Sequence, residues 1–397
     1  LSAMLMAGAA ALLAMRTVMA TRRWPLGLVV GVVFALTPVA WRWGLRADPH
    51  ALHAFLAALL LVLLGRWQQL EQARPGAGGR WLLLAAAVYG ASLGNHALTL
   101  LLAPGIAVFV LLVAPRILWQ QTRLVLACAA VLGLTTVAVY LYLPIRAAMD
   151  PPLAYADPAT WDGFWYVVLG EQFQGSVGPL PPLGELLGSV WGELVRDFGL
   201  LAILAVAGLL LGLLRHPRLT TLGLLWFACT WLFAFGYPNA AIERYYLVPL
   251  LVTALAVGLA ADAVWDALRD VLDRGGHALA YRVSTGTLVL VLLLLAAGPA
   301  VDRYAQLDLS EDGRGRLIVD TTFEALEPDA VVISWWSFST PLWYGQHVEG
   351  RRPDVTIIDD RDILDDGYGD TAAAVEAHLG ERPVYVIRRD HEIAALG

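Results

Sequence analysis

The feature that most constrains the fold is an apolar stretch over residues 80–113 that carries Gly94, Asn95 and His96 at its middle. One continuous helix of that length would run about 50 Å at about 1.5 Å per residue, which exceeds a hydrocarbon core of about 30 Å. The stretch therefore predicts two short helices that meet in a turn at residues 95–96. Polar side chains at such a turn are costly without partners, so Asn95 and His96 are candidate functional residues. Helix capping and an interfacial position are the plain alternative.

The composition is that of an integral membrane protein. Hydrophobic residues make up 58% of the 397 residues and charged residues only 15%, a far more apolar balance than a soluble domain needs. Ten apolar segments predict a mainly α-helical, polytopic fold of about ten spans, at residues 1–20, 25–40, 50–65, 81–95, 98–113, 123–143, 199–214, 219–236, 245–264 and 284–300.

The distribution of arginine supports ten crossings. All 27 basic side chains are arginine, and with ten spans the short loops carry 12 of them on one side and 5 on the other. This asymmetry is typical of the positive-inside rule. If residues 80–113 formed a single span, the split would become 8 to 9 and the signal would vanish. Ten crossings place the loop 144–198 and everything after about residue 302 outside the cytoplasm, with a transmembrane domain over residues 1–303.

The last part of the chain, residues 304–397, predicts a small extracytoplasmic α/β domain. Short β-branched runs at 330–334, 354–358 and 383–387 alternate with helical segments, a pattern typical of a parallel sheet. Residues 301–397 hold 9 Arg against 20 Asp and Glu. Because phosphate contacts need clustered cations, so acidic a domain excludes nucleic acid as a partner.

Further polar candidates lie in the predicted outer loops. Arg146 follows the proline that ends a span, and Glu171 and Gln172 follow the end of a short amphipathic helix. An arginine suits a phosphate through paired N–H donors, whereas snorkelling to lipid headgroups and a solvated turn are the plain alternatives for Arg146 and Glu171. Arg244 either pairs with the preceding glutamate or shares an outer cavity with His96 and Arg146.

Several motifs, taken in order, resemble those of a known family. They are Ser92-Leu93-Gly94-Asn95-His96 with a following Pro104-Gly105, Tyr142-Leu143-Pro144-Ile145-Arg146, Asp150-Pro151-Pro152, Asp157-Pro158, Trp343-Tyr344 with Gln346, and Gly350-Arg351-Arg352-Pro353-Asp354-Val355. The family is a bacterial membrane family, catalogued as a domain of unknown function, that is similar to the eukaryotic transmembrane protein O-mannosyltransferases. It is placed with the C-type glycosyltransferases.

The resemblance implies a membrane enzyme that transfers a sugar from a polyprenyl-phosphate donor to a hydroxyl of a protein or glycan acceptor. The reaction would take place on the extracytoplasmic face of the bacterial cytoplasmic membrane, in contact with membrane lipid. The sequence has no Cys or His spacing typical of a metal site, so we expect no cofactor and assign no metal ligands. We expect the donor phosphate to be bound by Arg146, His96 and Arg244. We expect Asn95, Glu171 and Gln172 to orient the sugar or the acceptor.

One departure from the family pattern concerns the catalytic acid. The family carries an acidic motif in its first outer loop, followed by a His-Pro-Pro-Gly run, and neither occurs in this sequence. We therefore expect Leu1 to lie downstream of that loop and the sequence to be a fragment without the catalytic acid. Two non-catalytic alternatives remain, a lipid or solute transporter and a membrane anchor for the acidic C-terminal domain. A transporter would carry ionisable residues at mid-membrane in two related halves.

Overall fold

The computed structural model describes residues 1–175, 177–237, 241–273, 276–365 and 367–387. The helices are α1 (Ser2–Thr21), α2 (Trp24–Ala35), α3 (Pro38–Gly44), α4 (Pro49–Ala73), α5 (Gly79–Leu93), α6 (Ala103–Val113), α7 (Ile117–Gln120), α8 (Thr122–Tyr140), α9 (Tyr142–Ala147), α10 (Trp161–Leu169) and α11 (Glu171–Gln174). They continue with α12 (Leu183–Phe198), α13 (Leu201–Arg215), α14 (Pro217–Gly236), α15 (Leu247–Leu268), α16 (Ala278–Ala297), α17 (Ala300–Leu307), α18 (Arg314–Ala325), α19 (Trp336–Trp343), α20 (Asp360–Asp365) and α21 (Thr371–His378). Two 3-10 helices, Ala97–Leu102 and Ile242–Tyr246, precede α6 and α15.

Each of the ten predicted apolar segments overlaps a helix, so the mainly α-helical fold is confirmed. Prolines in the first turn begin α2, α3, α4, α6 and α14, where a missing N–H costs nothing. Among the described residues, six helices are long and apolar enough to cross a membrane, and up to eight if two bent pairs each count as one span. The pairs are α2 with α3, bent by 69°, and α12 with α13, bent by 115°. The segments Gly79–Leu93 and Ala97–Val113 are shorter, so the count of ten stays a prediction.

The chain divides into two compact units. The first contains residues 1–140 and 173–307, and the second contains residues 141–172 and 308–397. This division assigns residues 141–172, which the sequence groups with the membrane part, to the unit that holds the sheet. Within the second unit, the Tyr155 hydroxyl donates to Asp359 Oδ2 at 3.0 Å. The predicted domain boundary at residue 303 stays a prediction.

Helix α15 is the central element of the first unit. Every residue from Leu247 to Asp262 in this helix is buried, whereas α8 buries none of its residues. The helix packs closely against α13 at Gly208, where an added Cβ would lie 1.8 Å from the Ala256 carbonyl oxygen. Such close approach between apolar helices is typical of membrane bundles, in which small residues let backbones meet.

The chain reverses direction at residues 94–96, as the sequence predicts. Near the end of α4, Trp67 faces both Gly78, which precedes α5, and the ring of Phe109 in α6, at 6.2 Å between centroids. At the start of α4, the Asn95 amide donates to the Pro49 carbonyl oxygen at 3.1 Å. Helix α5 therefore runs antiparallel to α4, and the chain returns parallel to α4 after the turn.

The reversal creates two polar ends of the first unit. At the end that holds Asn95, Arg42 lies 3.3 Å from Glu243, which precedes α15. At the opposite end, Asp262 and Asp266 near the end of α15 pair with Arg23, and Asp266 also pairs with Arg215. Arg42 and the pair Arg23 and Arg215 therefore lie at opposite ends of the first unit, and the orientation of these ends in a membrane stays a prediction.

The second unit carries a three-stranded parallel sheet. Its strands are β1 (Val331–Ile333), β2 (Thr356–Ile358) and β3 (Val384–Val386), in the order β2-β1-β3. Val331 is in register with Thr356 on one side and with Val384 on the other. Helices α18 to α21 alternate with these strands, which confirms the predicted small α/β layer.

Candidate functional site

Three histidines meet at the end of the first unit that holds Asn95. The centroids of the His50 and His96 rings lie 4.4 Å apart, and those of His53 and His96 lie 6.2 Å apart. Tyr245 stacks on His50 at 5.0 Å. We call these four residues, together with Trp43, Asp48, Asn95 and Arg244, the histidine cluster. His50 and His53 are only 2% and 3% exposed, so imidazole groups are here shielded from water in an otherwise apolar bundle.

Asp48 organises one side of the histidine cluster. It is the N-cap of α4, where its Oδ1 accepts the His50 backbone N–H at 2.8 Å and lies 2.5 Å from His50 Nδ1. Burial raises the pKa of Asp48, but the hydrogen bonds from His50 and the nearby charges of His50 and Arg244 outweigh burial, so the pKa lies below its ordinary value. The ionised carboxylate assigns the hydrogen of the His50 ring to Nδ1.

His96 caps the 3-10 helix that follows the turn. Its Nδ1 accepts the Leu98 backbone N–H at 3.1 Å, so a neutral ring carries its hydrogen on Nε2. Burial lowers the pKa of His96 to about 3, the charges of His50 and Arg244 act in the same direction, and Asp48 opposes them. The imidazole is therefore neutral at physiological pH and presents an N–H donor rather than a charge.

Arg244 is the cation of the histidine cluster. It lies in the 3-10 helix Ile242–Tyr246, with one guanidinium nitrogen 3.5 Å from Asp48 Oδ2. The guanidinium carbon lies 5.5 Å from the Trp43 ring centroid and 5.7 Å from that of Tyr245, within the range of cation–π attraction. The ion pairs of the described residues join Glu243 to Arg42 and Arg244 to Asp48, and they do not include the Glu243–Arg244 pair that the sequence allows.

Three buried nitrogen atoms of the histidine cluster lack a hydrogen-bond partner among the described residues. They are His50 Nε2, Arg244 Nε and Trp43 Nε1. Buried polar atoms are nearly always satisfied in native proteins, so three such atoms in one place indicate a position for an additional polar group. Within the described part of the chain, no group of three or more His, Cys, Asp or Glu residues has an arrangement that could hold a metal ion.

The structure brings together three of the six predicted binding residues, which are Asn95, His96 and Arg244. Arg146, Glu171 and Gln172 belong to the second unit. Arg146 and Glu171 are exposed, and the Arg146 guanidinium lies 3.9 Å from the sulfur of Met149 in the same unit. The participation of these three residues in one site with His96 stays a prediction.

Sequence reasoning missed Asp48, His50, His53 and Tyr245. A signal for three of them was present, because Asp48 and Pro49 form a typical helix start and His50 and His53 lie one turn apart on the apolar helix that follows. Tyr245 adjoins Arg244 and gave no separate signal, because tyrosine is common at membrane interfaces.

A cavity of about 550 Å³ lies within the second unit. Its lining includes Tyr155, Trp343 and His378, together with residues of β2. Burial, then the charge and hydrogen bond of Asp359, raise the pKa of Tyr155, so its hydroxyl keeps its proton at physiological pH. Aromatic rings with a few polar groups are typical of small-molecule sites, and this cavity is the second candidate.

Comparison with known proteins supports the motif-based resemblance. Residues 3–118 match the family model of the protein O-mannosyl-transferase TMEM260 N-terminal domain, a segment that contains Asp48, His50, His53, Asn95 and His96. No curated protein matches the chain. Among solved structures, the oligosaccharyltransferase of Archaeoglobus fulgidus in the apo form matches with a TM-score of 0.50 and 15% identity, over 88% of this chain and 52% of that chain.

A second solved structure is ArnT from Cupriavidus metallidurans bound to undecaprenyl phosphate, with a TM-score of 0.49 and 15% identity over 98% of this chain and 82% of that chain. The family-model match of residues 3–118 confirms the predicted resemblance to protein O-mannosyltransferases for the N-terminal segment. The chain is a helical membrane protein that shares its fold with an oligosaccharyltransferase and whose residues 3–118 are similar to the N-terminal domain of protein O-mannosyl-transferases.

Proposed function

We propose that the protein is a membrane glycosyltransferase that transfers a sugar from a polyprenyl-phosphate donor to an acceptor hydroxyl at the histidine cluster. The single observation that carries the proposal is the meeting of Arg244, His96 and three unpartnered buried nitrogens at one end of the bundle. The match of residues 3–118 to an O-mannosyl-transferase domain supports the reaction class.

Arg244 and His96 are the groups we assign to the donor phosphate. A guanidinium forms charge-assisted hydrogen bonds with phosphate oxygens, and Arg244 Nε is buried without a partner among the described residues. His96 is neutral at physiological pH and adds an N–H donor without having to bind a proton first. Such donors favour departure of the lipid phosphate because they stabilise the negative charge that develops on it. Asn95 lies beside them and is assigned to the sugar.

His50 is the group we assign to the acceptor proton. The proposal takes the His50 ring in its neutral form, in which Nδ1–H donates to Asp48 and Nε2 holds the lone pair, and Nε2 has no partner among the described residues. As the acceptor oxygen bonds to the anomeric carbon, the bond from that carbon to the phosphate breaks and the acceptor proton passes to Nε2. Asp48 then stabilises the imidazolium, as an orienting carboxylate does in other acid–base pairs.

We place the reaction on the extracytoplasmic face of a bacterial cytoplasmic membrane. The segregation of arginines between the two ends of the first unit supports this orientation. In the same orientation the C-terminal α/β domain lies outside the cytoplasm.

Donor binding by the purified full chain tests the proposal. Undecaprenyl phosphate serves as the probe, and Arg244→Gln should weaken its binding by about 10- to 150-fold, because one charge-assisted hydrogen bond contributes about 1.5–3 kcal/mol. Arg42→Gln is the matched control, since Arg42 is an exposed arginine at the same end that pairs with Glu243. Equal binding by the wild type, Arg244→Gln and His96→Asn would show that the histidine cluster does not bind the lipid phosphate.

A further inference from the structure

A strongly basic pocket lies at the end of the first unit opposite the histidine cluster. Its volume is about 320 Å³, and its lining contains no Asp or Glu among the described residues. The residues that define it come from the ends of α1 and α4 and from the connection between α13 and α14: Arg16, Arg22, Gln68, Gln72, Arg215 and Arg218. We call it the arginine pocket.

Arg16 is the unusual member of the arginine pocket. It lies in the apolar helix α1, its side chain is buried with only 4% exposed, and its Nε has no hydrogen-bond partner among the described residues. No carboxylate in the described part of the chain lies within ion-pair distance of this guanidinium. Gly65 on α4 makes room for it, because a Cβ there would lie 2.7 Å from Arg16 Nε. Burying a charge without a counter-ion is costly, so burial of the Arg16 guanidinium becomes favourable only when an anion binds beside it.

The other arginines divide into two groups. Arg215 pairs with Asp266, so a protein carboxylate already compensates it. Arg22 and Arg218 have no carboxylate partner among the described residues, and Arg218 donates its Nε–H to the Leu112 carbonyl oxygen at 2.9 Å. With Arg16, these two leave three uncompensated guanidinium groups around one cavity.

We propose that the arginine pocket binds a phosphate-bearing ligand, with Arg16 as the buried cation at its base. Guanidinium groups suit phosphate because they offer two parallel N–H donors, and basic pockets between membrane helices bind anionic headgroups on the cytoplasmic side. The predicted orientation puts this end of the bundle in the cytoplasm. The site is separate from the histidine cluster, because His50 and Gly65 lie more than four helical turns apart along α4.

Ligand-dependent stabilisation of the purified full chain tests the pocket. In neutral detergent the thermal unfolding midpoint is measured with phosphatidylglycerol, with phosphatidylcholine and with inorganic phosphate at constant ionic strength. We expect anionic phosphatidylglycerol to stabilise the wild type by mass action. Phosphatidylcholine should have no effect, because its choline ammonium neutralises its phosphate and the pocket requires a net anion. Arg16→Met should weaken the apparent affinity for the stabilising anion by about tenfold. Arg22→Gln, on an exposed residue that does not affect the interior, should weaken it in the same direction.

The matched control is Arg123→Gln, because Arg123 is exposed on the same predicted side and outside the pocket. Stabilisation by phosphatidylglycerol alone supports a lipid headgroup as the source of the phosphate, and stabilisation by inorganic phosphate supports a soluble one. Absence of both effects, or equal responses of the Arg16, Arg22 and Arg123 variants, would overturn the proposal. If Arg16→Met does not fold, the comparison of Arg22→Gln with Arg123→Gln decides.

Discussion

At the scale of single residues, the chemistry of the histidine cluster depends on Asp48. This one carboxylate caps α4, sets the hydrogen of His50 on Nδ1 and pairs with Arg244. Because Asp48 is ionised, it can partner both His50 and Arg244 at the start of an apolar helix. Without this carboxylate, the burial of either group would be unfavourable. The opposite edge of the His50 ring, at Nε2, is buried and has no hydrogen-bond partner among the described residues.

The depressed pKa of His96 predicts a dependence of stability on pH. The folded protein binds the His96 proton only near pH 3, whereas the unfolded chain binds it near pH 6.5. Between these values the unfolded state binds more protons, so stability rises with pH and is lost as the pH falls below about 6.5. His96→Asn keeps a capping acceptor but does not titrate. We measure the free energy of unfolding of wild type and His96→Asn at pH 7.5 and at pH 5. Between these two pH values, the wild type should lose more stability than the variant. A constant difference would contradict the buried neutral imidazole.

At the scale of elements, the reversal at residues 94–96 and the close packing of α13 on α15 define the bundle. The reversal follows from local sequence, since an apolar stretch too long for one span must turn where its polar residues lie. The packing of α13 on α15 depends on glycine, because only a residue without a side chain lets the two backbones approach at Gly208.

Substitution at two helical glycines tests this packing. Gly208→Ala would place a Cβ 1.8 Å from the Ala256 carbonyl oxygen, so the helices must separate, at a cost of about 1–3 kcal/mol. Gly133 in α8 has no described atom within 4 Å of the position that a Cβ would occupy, so Gly133→Ala should be neutral or stabilise by up to about 1 kcal/mol. Thermal unfolding in detergent measures both, and a similar midpoint for the two variants would show that α13 and α15 do not pack at Gly208.

At the scale of the whole molecule, the two polar ends of the first unit have different chemistry. One end gathers imidazole, carboxylate and guanidinium groups in the histidine cluster, and the other holds uncompensated arginines in the arginine pocket. The two proposals follow this asymmetry: a lipid phosphate donor at the histidine cluster and an anionic phosphate at the arginine pocket.

Thiol labelling tests the orientation of these ends. With Cys128 and Cys229 replaced by alanine, single cysteines are introduced as Ala47→Cys beside the histidine cluster, Ala77→Cys at the opposite end of α4 and Ala148→Cys after α9. In intact cells we expect a membrane-impermeant maleimide to label positions 47 and 148, and to label position 77 only after permeabilisation. Labelling of 47 and 148 from opposite faces would exclude Arg146 from a site with His96 and would remove the ten-span topology.

Local sequence determined the elements of this protein. The ten helical segments, the turn at Asn95 and the three parallel strands were predictable, because hydrophobic periodicity, chain length relative to a bilayer and turn residues act over short distances. The sequence also predicted that Asn95, His96 and Arg244 lie on the same side of the membrane, because the arginine count of each loop assigns that loop to one side.

Only the tertiary structure decided which of these groups meet. Asp48, His50 and Tyr245 meet His96 because the start of α4, the turn at residues 94–96 and the segment before α15 lie at the same end of the bundle. This arrangement depends on packing between segments almost 200 residues apart in the sequence. The arginine pocket likewise required the structure, because the buried Arg16 is a single charge in an apolar helix, and whether it has a partner depends on every neighbour. Side-chain partners are properties of long-range packing, and the periodicity of one segment does not contain them.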